Sequence, residues 1–137
     1  MAWLAATPKP PAGSRREKLG LGATNSRAEK LKKDKIAPAM PPNPAPHLLK
    51  WLIEIGLTAS NGMSSVPITW GEINEWQQAA HIRLDPWESR LIRQLSLEYV
   101  GESRRAESET CPPPFHAKLT QREIDLAEAA LDRLLGA

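Results

Sequence analysis

Two helix starts are written into residues 68–99, and they constrain this chain more than any other feature. Thr69 followed by Glu72 has the form of a capping box, in which the hydroxyl accepts from the Glu72 amide and the carboxylate reaches back to the Thr69 amide. Ile68 and Ile73 are placed to staple the same turn. Asp85 with Glu88 repeats the pattern, and Pro86 stands at the first helical position, where its missing N–H is no loss. The spacing therefore predicts one helix over 70–81, a short link at 82–84, and a second helix over 86–105. Ile73, Trp76 and Ala80 form a stripe on the first, with Trp70 at its edge. On the second, Trp87, Leu91, Leu95 and Tyr99 recur every fourth residue, with Ile92 beside them. Such spacing fits helix and not strand. The expectation is two amphipathic helices packed face to face around three tryptophans.

Charge and proline divide the chain at the same place. Eight of the 13 prolines precede His47. Residues 1–46 carry nine Lys/Arg against three Asp/Glu, a net of +6, and residues 47–137 carry nine against 13, a net of −4. The overall +2 is thus a basic arm on an acidic body, a pattern of interaction tails rather than of uniformly basic nucleic-acid binders. Residues 1–24 hold too little apolar surface to offset the entropy of ordering, and are expected to be flexible when free. Ser26 with Glu29 predicts a short helix over 27–36, surrounded by Lys30, Lys32, Lys33 and Lys35 and ended by Pro38. Pro41, Pro42, Pro44 and Pro46 then form an extended linker.

Leu48, Trp51, Leu52 and Ile55 predict a first body helix over 47–57. The polar loop 59–65, with Asn61-Gly62, is expected to be mobile. Beyond residue 107, Cys111-Pro112-Pro113-Pro114 makes a stiff tether. A further capping box, Thr120 with Glu123, opens a last helix with the stripe Ile124, Ala127, Leu131 and Leu134. No strand is expected anywhere. The fold class is all-α, a small bundle of about three body helices over 47–107. A basic, Pro-rich extended arm precedes it (1–46), and a tether with an amphipathic helix follows (108–137).

Little in the sequence carries chemistry. His47, His81 and His116 lie far apart without partners at metal-ligand spacing. Cys111 has no basic helix start beside it to activate a thiolate, and as a lone cysteine it implies neither an internal disulfide nor secretion. No glycine pattern matches a phosphate loop. The expectation is a protein with no catalytic residues, no metal and no cofactor. The first residues make a poor signal peptide, and Trp51-Leu52-Ile53 is far too short to span a membrane. A soluble, intracellular protein is the default. A helix–turn–helix DNA reader, with Ser89, Arg90 and Arg93 toward a groove, is a third reading. Glu72, Glu75 and Glu88 near the same surface oppose it, because a duplex reader needs positive charge there.

What remains is surface. Trp76 and Trp87 are expected in the core, since large rings supply much of the buried area of a small body. Trp51 and Trp70 fit either core or partner contact. Trp3 and Leu4, an apolar pair at a flexible tip, form a docking handle, and Leu131 and Leu134 extend the open stripe of the last helix. These six residues are the expected partner-binding positions.

The run from Pro67 to Tyr99 resembles a family of small bacteriophage proteins encoded among tail genes, the tail assembly chaperones of long-tailed phages. The resemblance spans about 41–114. It rests on Pro41-Pro42, Leu48-Leu49-Lys50-Trp51, the Ile68-Thr69 and Glu72-Ile73 start, the Leu84, Pro86-Trp87-Glu88 turn, Leu95-Ser96 with Tyr99, and Cys111-Pro112-Pro113. The helix after Thr120 lies outside it. The resemblance implies a non-enzymatic helical protein of the host cytoplasm. Such a protein binds the tape-measure protein, the long helical ruler of the tail, and keeps it soluble while tail-tube subunits are recruited. Helix-in-groove binding is the implied mode. The alternative is a structural part of the virion tail, a minor tail or connector protein whose arm lies along neighbouring subunits. A homo-oligomer is compatible with either reading; membrane and nucleic acid are not expected partners.

Overall fold

A computed structural model describes residues 1–136. The chain is mostly helical, with seven helices among the described residues and a small two-stranded sheet. In order these are α1 (Ala2–Ala5), α2 (Arg15–Lys18), α3 (Arg27–Lys33), α4 (Pro46–Ile55), β1 (Ala59–Ser60), β2 (Ser65–Val66), α5 (Trp70–Ala80), α6 (Pro86–Arg105) and α7 (Gln121–Leu135).

The caps sit where the sequence placed them. Thr69 Oγ1 accepts from the Glu72 amide at 3.2 Å, and Glu72 Oε2 accepts from the Thr69 amide at 2.7 Å. Glu88 Oε2 accepts from the Asp85 amide at 2.8 Å, with Pro86 at the first position of α6. His81 ends α5 in the left-handed region, φ 52°. Gln77 Oε1 then accepts from the Leu84 amide at 2.8 Å, which pins the link between α5 and α6. The helix predicted over 27–36 ends at Lys33; Lys35 adopts φ 58° and turns the chain toward Pro38.

Leu48 and Leu52 of α4, Ile68, Ile73 of α5, Leu84 and Ile92 of α6 form the core, each at most 7% exposed. Trp51, Trp76 and Leu95 pack against it, partly buried. α4 contacts both α5 and α6. The core is therefore aliphatic and three-helical, and not a pair of helices closed around tryptophans. Trp70 and Trp87 are 52% and 53% exposed, which corrects the expected core position of Trp87. The buried stripe of α6 is Ile92, Ser96 and Val100, rotated from the expected Trp87, Leu91, Leu95 and Tyr99. The physical reason is Ser96. Its hydroxyl donates to Leu57 O at 2.8 Å and accepts from the Ile68 amide at 3.0 Å. A small side chain lets the segment between α4 and α5 lie directly on α6, and the larger rings are left on the other side.

Ser96→Ala leaves the buried Ile68 amide without a partner. It is expected to destabilise the body by about 1–3 kcal/mol, the desolvation penalty of one unsatisfied group. Urea unfolding followed by tryptophan fluorescence measures it.

Two further expectations are corrected. The loop at 59–65 contains strand structure: β1 and β2 pair antiparallel, Ala59 with Val66 and Ser60 with Ser65. Asn61 Oδ1 closes the turn by accepting from the amides of Met63 (3.1 Å) and Ser64 (2.9 Å), and Gly62 takes φ 85°. The short side-chain acceptor and the glycine are what such a turn requires.

The arm, expected to be extended and flexible, is docked. α1 packs on α6 and α3. The Lys9 amide donates to Glu107 O (2.7 Å), and the Glu109 amide donates to Lys9 O (3.2 Å). Lys9 and Arg16 also pair with Glu107 (2.8 Å) and Glu109 (2.9 Å). The basic arm thus meets the acidic segment that follows α6, at Glu107 and Glu109, and the low apolar content of residues 1–24 is offset mainly by backbone pairing and the packing of α1.

Candidate interaction surfaces

Arg27 organises the arm. It is 8% exposed, and its guanidinium donates to three carbonyls: Trp3 (3.2 Å), Ala106 (2.6 Å) and Ser108 (2.8 Å). The same group lies over the Trp3 ring, 4.5 Å from its centroid. Trp3 Nε1 donates to Cys111 O at 3.0 Å. Trp3 is thus held by its own chain on one side, and its other contacts open on a groove of about 530 Å³. Leu4, Leu31, Ile36, Met40 and Phe115 contribute apolar walls to this groove, and Lys118 a cation.

Of the six expected partner positions, Trp3 and Leu4 meet in this groove. Trp51 is partly buried, edge-on to His47 (centroids 5.0 Å) and tilted against Trp76 (6.1 Å). Trp70 lies open at the start of α5, with the Arg93 guanidinium 5.4 Å from its ring centroid. Leu131 and Leu134 lie on α7, 55% and 84% exposed. Residues outside those six positions complete these surfaces. Trp87 and Leu91, one helical turn apart on the outer side of α6, are 53% and 38% exposed. Their four-residue spacing predicts a core stripe, and the rotation of α6 turns it outward. The groove walls Leu31, Ile36, Met40 and Phe115 come from segments distant in sequence, and no local pattern joins them.

At the start of α7, Glu123 accepts from the Thr120 amide (2.7 Å) and hydroxyl (2.8 Å). The amide bond, followed by the hydroxyl bond, holds its carboxyl below the usual carboxylate range, with slight burial opposing. A depressed folded-state pKa contributes stability that is present above the unfolded value and is lost as pH falls through the folded one. The start of α7 is therefore expected to fray on acidification. The Thr120 amide resonance should titrate with a midpoint below that of an ordinary glutamate, and Glu123→Ala should abolish that titration.

Among the described residues, no three His, Cys, Asp or Glu side chains come together as a metal-holding group. Nor is any described helix long and apolar enough to cross a membrane. What the fold defines is a small, mostly helical protein with large apolar side chains left open on the body, in a groove and along a terminal helix. Residues 23–100 match the family described as phage tail assembly chaperone, and the chain belongs to that family, a non-enzymatic kind of protein. No curated protein and no solved structure matches it. The match takes in α3 through Val100, with the core and the exposed Trp70, Trp87 and Leu91 inside it, while α1, α2 and α7 lie outside.

Proposed function

We propose that this protein is a tail assembly chaperone that binds the tape-measure protein of a long-tailed phage in the host cytoplasm, holds it soluble while tail-tube subunits are recruited, and is left out of the finished particle. The observation that carries this reading is the open apolar surface inside the family-matched residues. Trp70, Trp87 and Leu91 are each more than a third exposed. Half-exposed indoles on a small body are unfavourable in water and mark a surface meant to be covered. Large aromatic rings are also the side chains that dominate binding energy at interfaces. An amphipathic client helix laid along the outer side of α6 would cover Trp87 and Leu91 in the helix-in-groove manner, and Trp70, on α5 beside Arg93, offers a second contact.

The reading as a structural tail component drew its support from an arm that needs something to lie on. The docking of α1 and Lys9 on the end of α6 supplies that support within the chain. DNA readout is disfavoured in turn by the net −4 of residues 47–137 and by the engagement of Arg93 with Trp70. Mass spectrometry of purified particles, run beside affinity purification from infected cells, separates the readings. The chaperone reading expects the protein to be missing from particles and to co-purify with the tape-measure protein. A fixed copy number in particles would overturn it.

A further inference from the structure

We infer that the client segment taken by this chain is acidic as well as apolar, its carboxylates docking on an arginine stripe of α6 beside Trp70. The inference rests on the chaperone reading and adds the chemistry of the client, which that reading leaves open.

Arg90, Arg93, Leu97 and Arg104 follow one another at steps of three, four and seven residues. They therefore fall within about 60° of arc on one side of α6. No Asp or Glu stands three or four residues from Arg90 or Arg93, so neither is paired along the helix, and the two repel each other. Among the described residues none of the three arginines enters an ion pair. Arg104 donates to Ser65 O at 3.4 Å. Arg93 Nε is closed off from solvent and donates to nothing. The Arg93 guanidinium lies over the Trp70 ring, 5.4 Å from its centroid. Stacking holds the group by its face and leaves the N–H donors of its edge to an acceptor. Trp70 and Leu97 are 52% and 45% exposed, so these cations alternate with open apolar surface. Gly101, one turn beyond Leu97, meets no neighbouring segment within 4 Å of where a Cβ would stand, which lets a partner's backbone come close to α6.

The body's own acids do not serve this stripe. Glu72 and Glu88 hold the amides of Thr69 and Asp85. Glu75 and Glu98 each stand five residues from Trp70 and Arg93, about 140° round their helices. A basic stripe on a body of net −4 attracts an acidic segment there and repels it elsewhere, which fixes where such a client lands. A carboxylate on Arg93 also gives the buried Nε its acceptor, in the two-pronged manner of arginine–carboxylate pairs. Arg93 and Arg104 lie about 16 Å apart along α6. One client helix with acids about three turns apart reaches both, and an apolar side chain between them covers Leu97 and Trp70. A nucleic-acid backbone fits less well, because it is charged along its whole length and the rest of the body repels it.

The test uses the tagged full chain, co-expressed with the tape-measure protein of the same phage and purified with it. Arg90→Glu/Arg93→Glu is expected to retain about tenfold less of the tape-measure protein, because attraction becomes repulsion at two docking points. Circular dichroism checks that this variant is folded. Lys50→Glu, a charge change of the same kind on α4, is expected to retain as much as the unmodified chain. Arg93→Lys keeps the charge and supplies an amine. A carbodiimide, which joins amines directly to carboxylates, is then expected to link that position to an Asp or Glu of the tape-measure protein, read by mass spectrometry. A complex that forms normally but tolerates the charge reversal, or that gives no such link, overturns the acidic docking and leaves the chaperone reading standing. An unmodified chain that retains no tape-measure protein overturns both. A labelled single-stranded DNA that the chain binds and the charge reversal releases, with the tape-measure protein still retained, assigns the stripe to nucleic acid and overturns the inference as well.

Discussion

Ile92→Ala is expected to remove about 2–5 kcal/mol of stability, the range for deleting a large aliphatic side chain from a packed core. Ile92 is 0% exposed and belongs to the cluster of Leu48, Leu52, Ile68, Ile73 and Leu84. A small domain is stable by only about 5–15 kcal/mol, so this one substitution takes a large share. Its neighbour gives the contrast. Leu91 is 38% exposed on the outer side of α6, and Leu91→Ala is expected to change stability by no more than about 0.5 kcal/mol. Urea unfolding of the two variants by tryptophan fluorescence measures both. Equal losses would mean that α6 is rotated from the orientation described, with Leu91 facing the core.

Arg27→Ala is expected to undock the arm. The guanidinium satisfies the carbonyls of Trp3, Ala106 and Ser108 and covers the Trp3 ring. Hydrogen bonds to a charged group are worth about 1.5–3 kcal/mol each, and the three here act on one junction. Loss of about 3 kcal/mol or more at that junction is expected, against weak compensation from the exposed Lys9–Glu107 pair. Hydrogen exchange should show the amides of Lys9 and Glu109 losing protection while those of α4 and α5 keep theirs. Arg27→Lys should not rescue it, since one ammonium cannot span three carbonyls set by a planar fork. Unchanged protection at Lys9 would contradict the assigned role.

What the sequence revealed was local. Every helix start at Ser26, Thr69, Asp85 and Thr120 was visible, because a capping box is a contact between residues three apart. What it concealed depends on residues far apart. Ser96 reads as a polar interruption of α6 until Leu57 and Ile68 are brought to it. The rotation of α6 follows from that contact, and it leaves Trp87, expected in the core, half exposed. Arg27 reads as one more charge in a basic arm, and only the fold sets it beneath Ala106 and Ser108. Of the surfaces, the stripe of α7 was legible from its spacing, whereas the groove is assembled from residues 1–4, 31–41 and 113–123 and has no sequence pattern. Trp3, expected as half of a docking handle, lies under Arg27 and lines the groove of its own chain together with Leu4.

The exposed indoles of the body carry the functional reading, and co-expression with the tape-measure protein tests them most directly. The unmodified chain is expected to keep the tape-measure protein soluble and bound. Trp70→Ala/Trp87→Ala should leave the chain folded, by its own unfolding curve, and send the tape-measure protein to the pellet. A tape-measure protein that stays soluble and bound with both indoles gone would contradict the account.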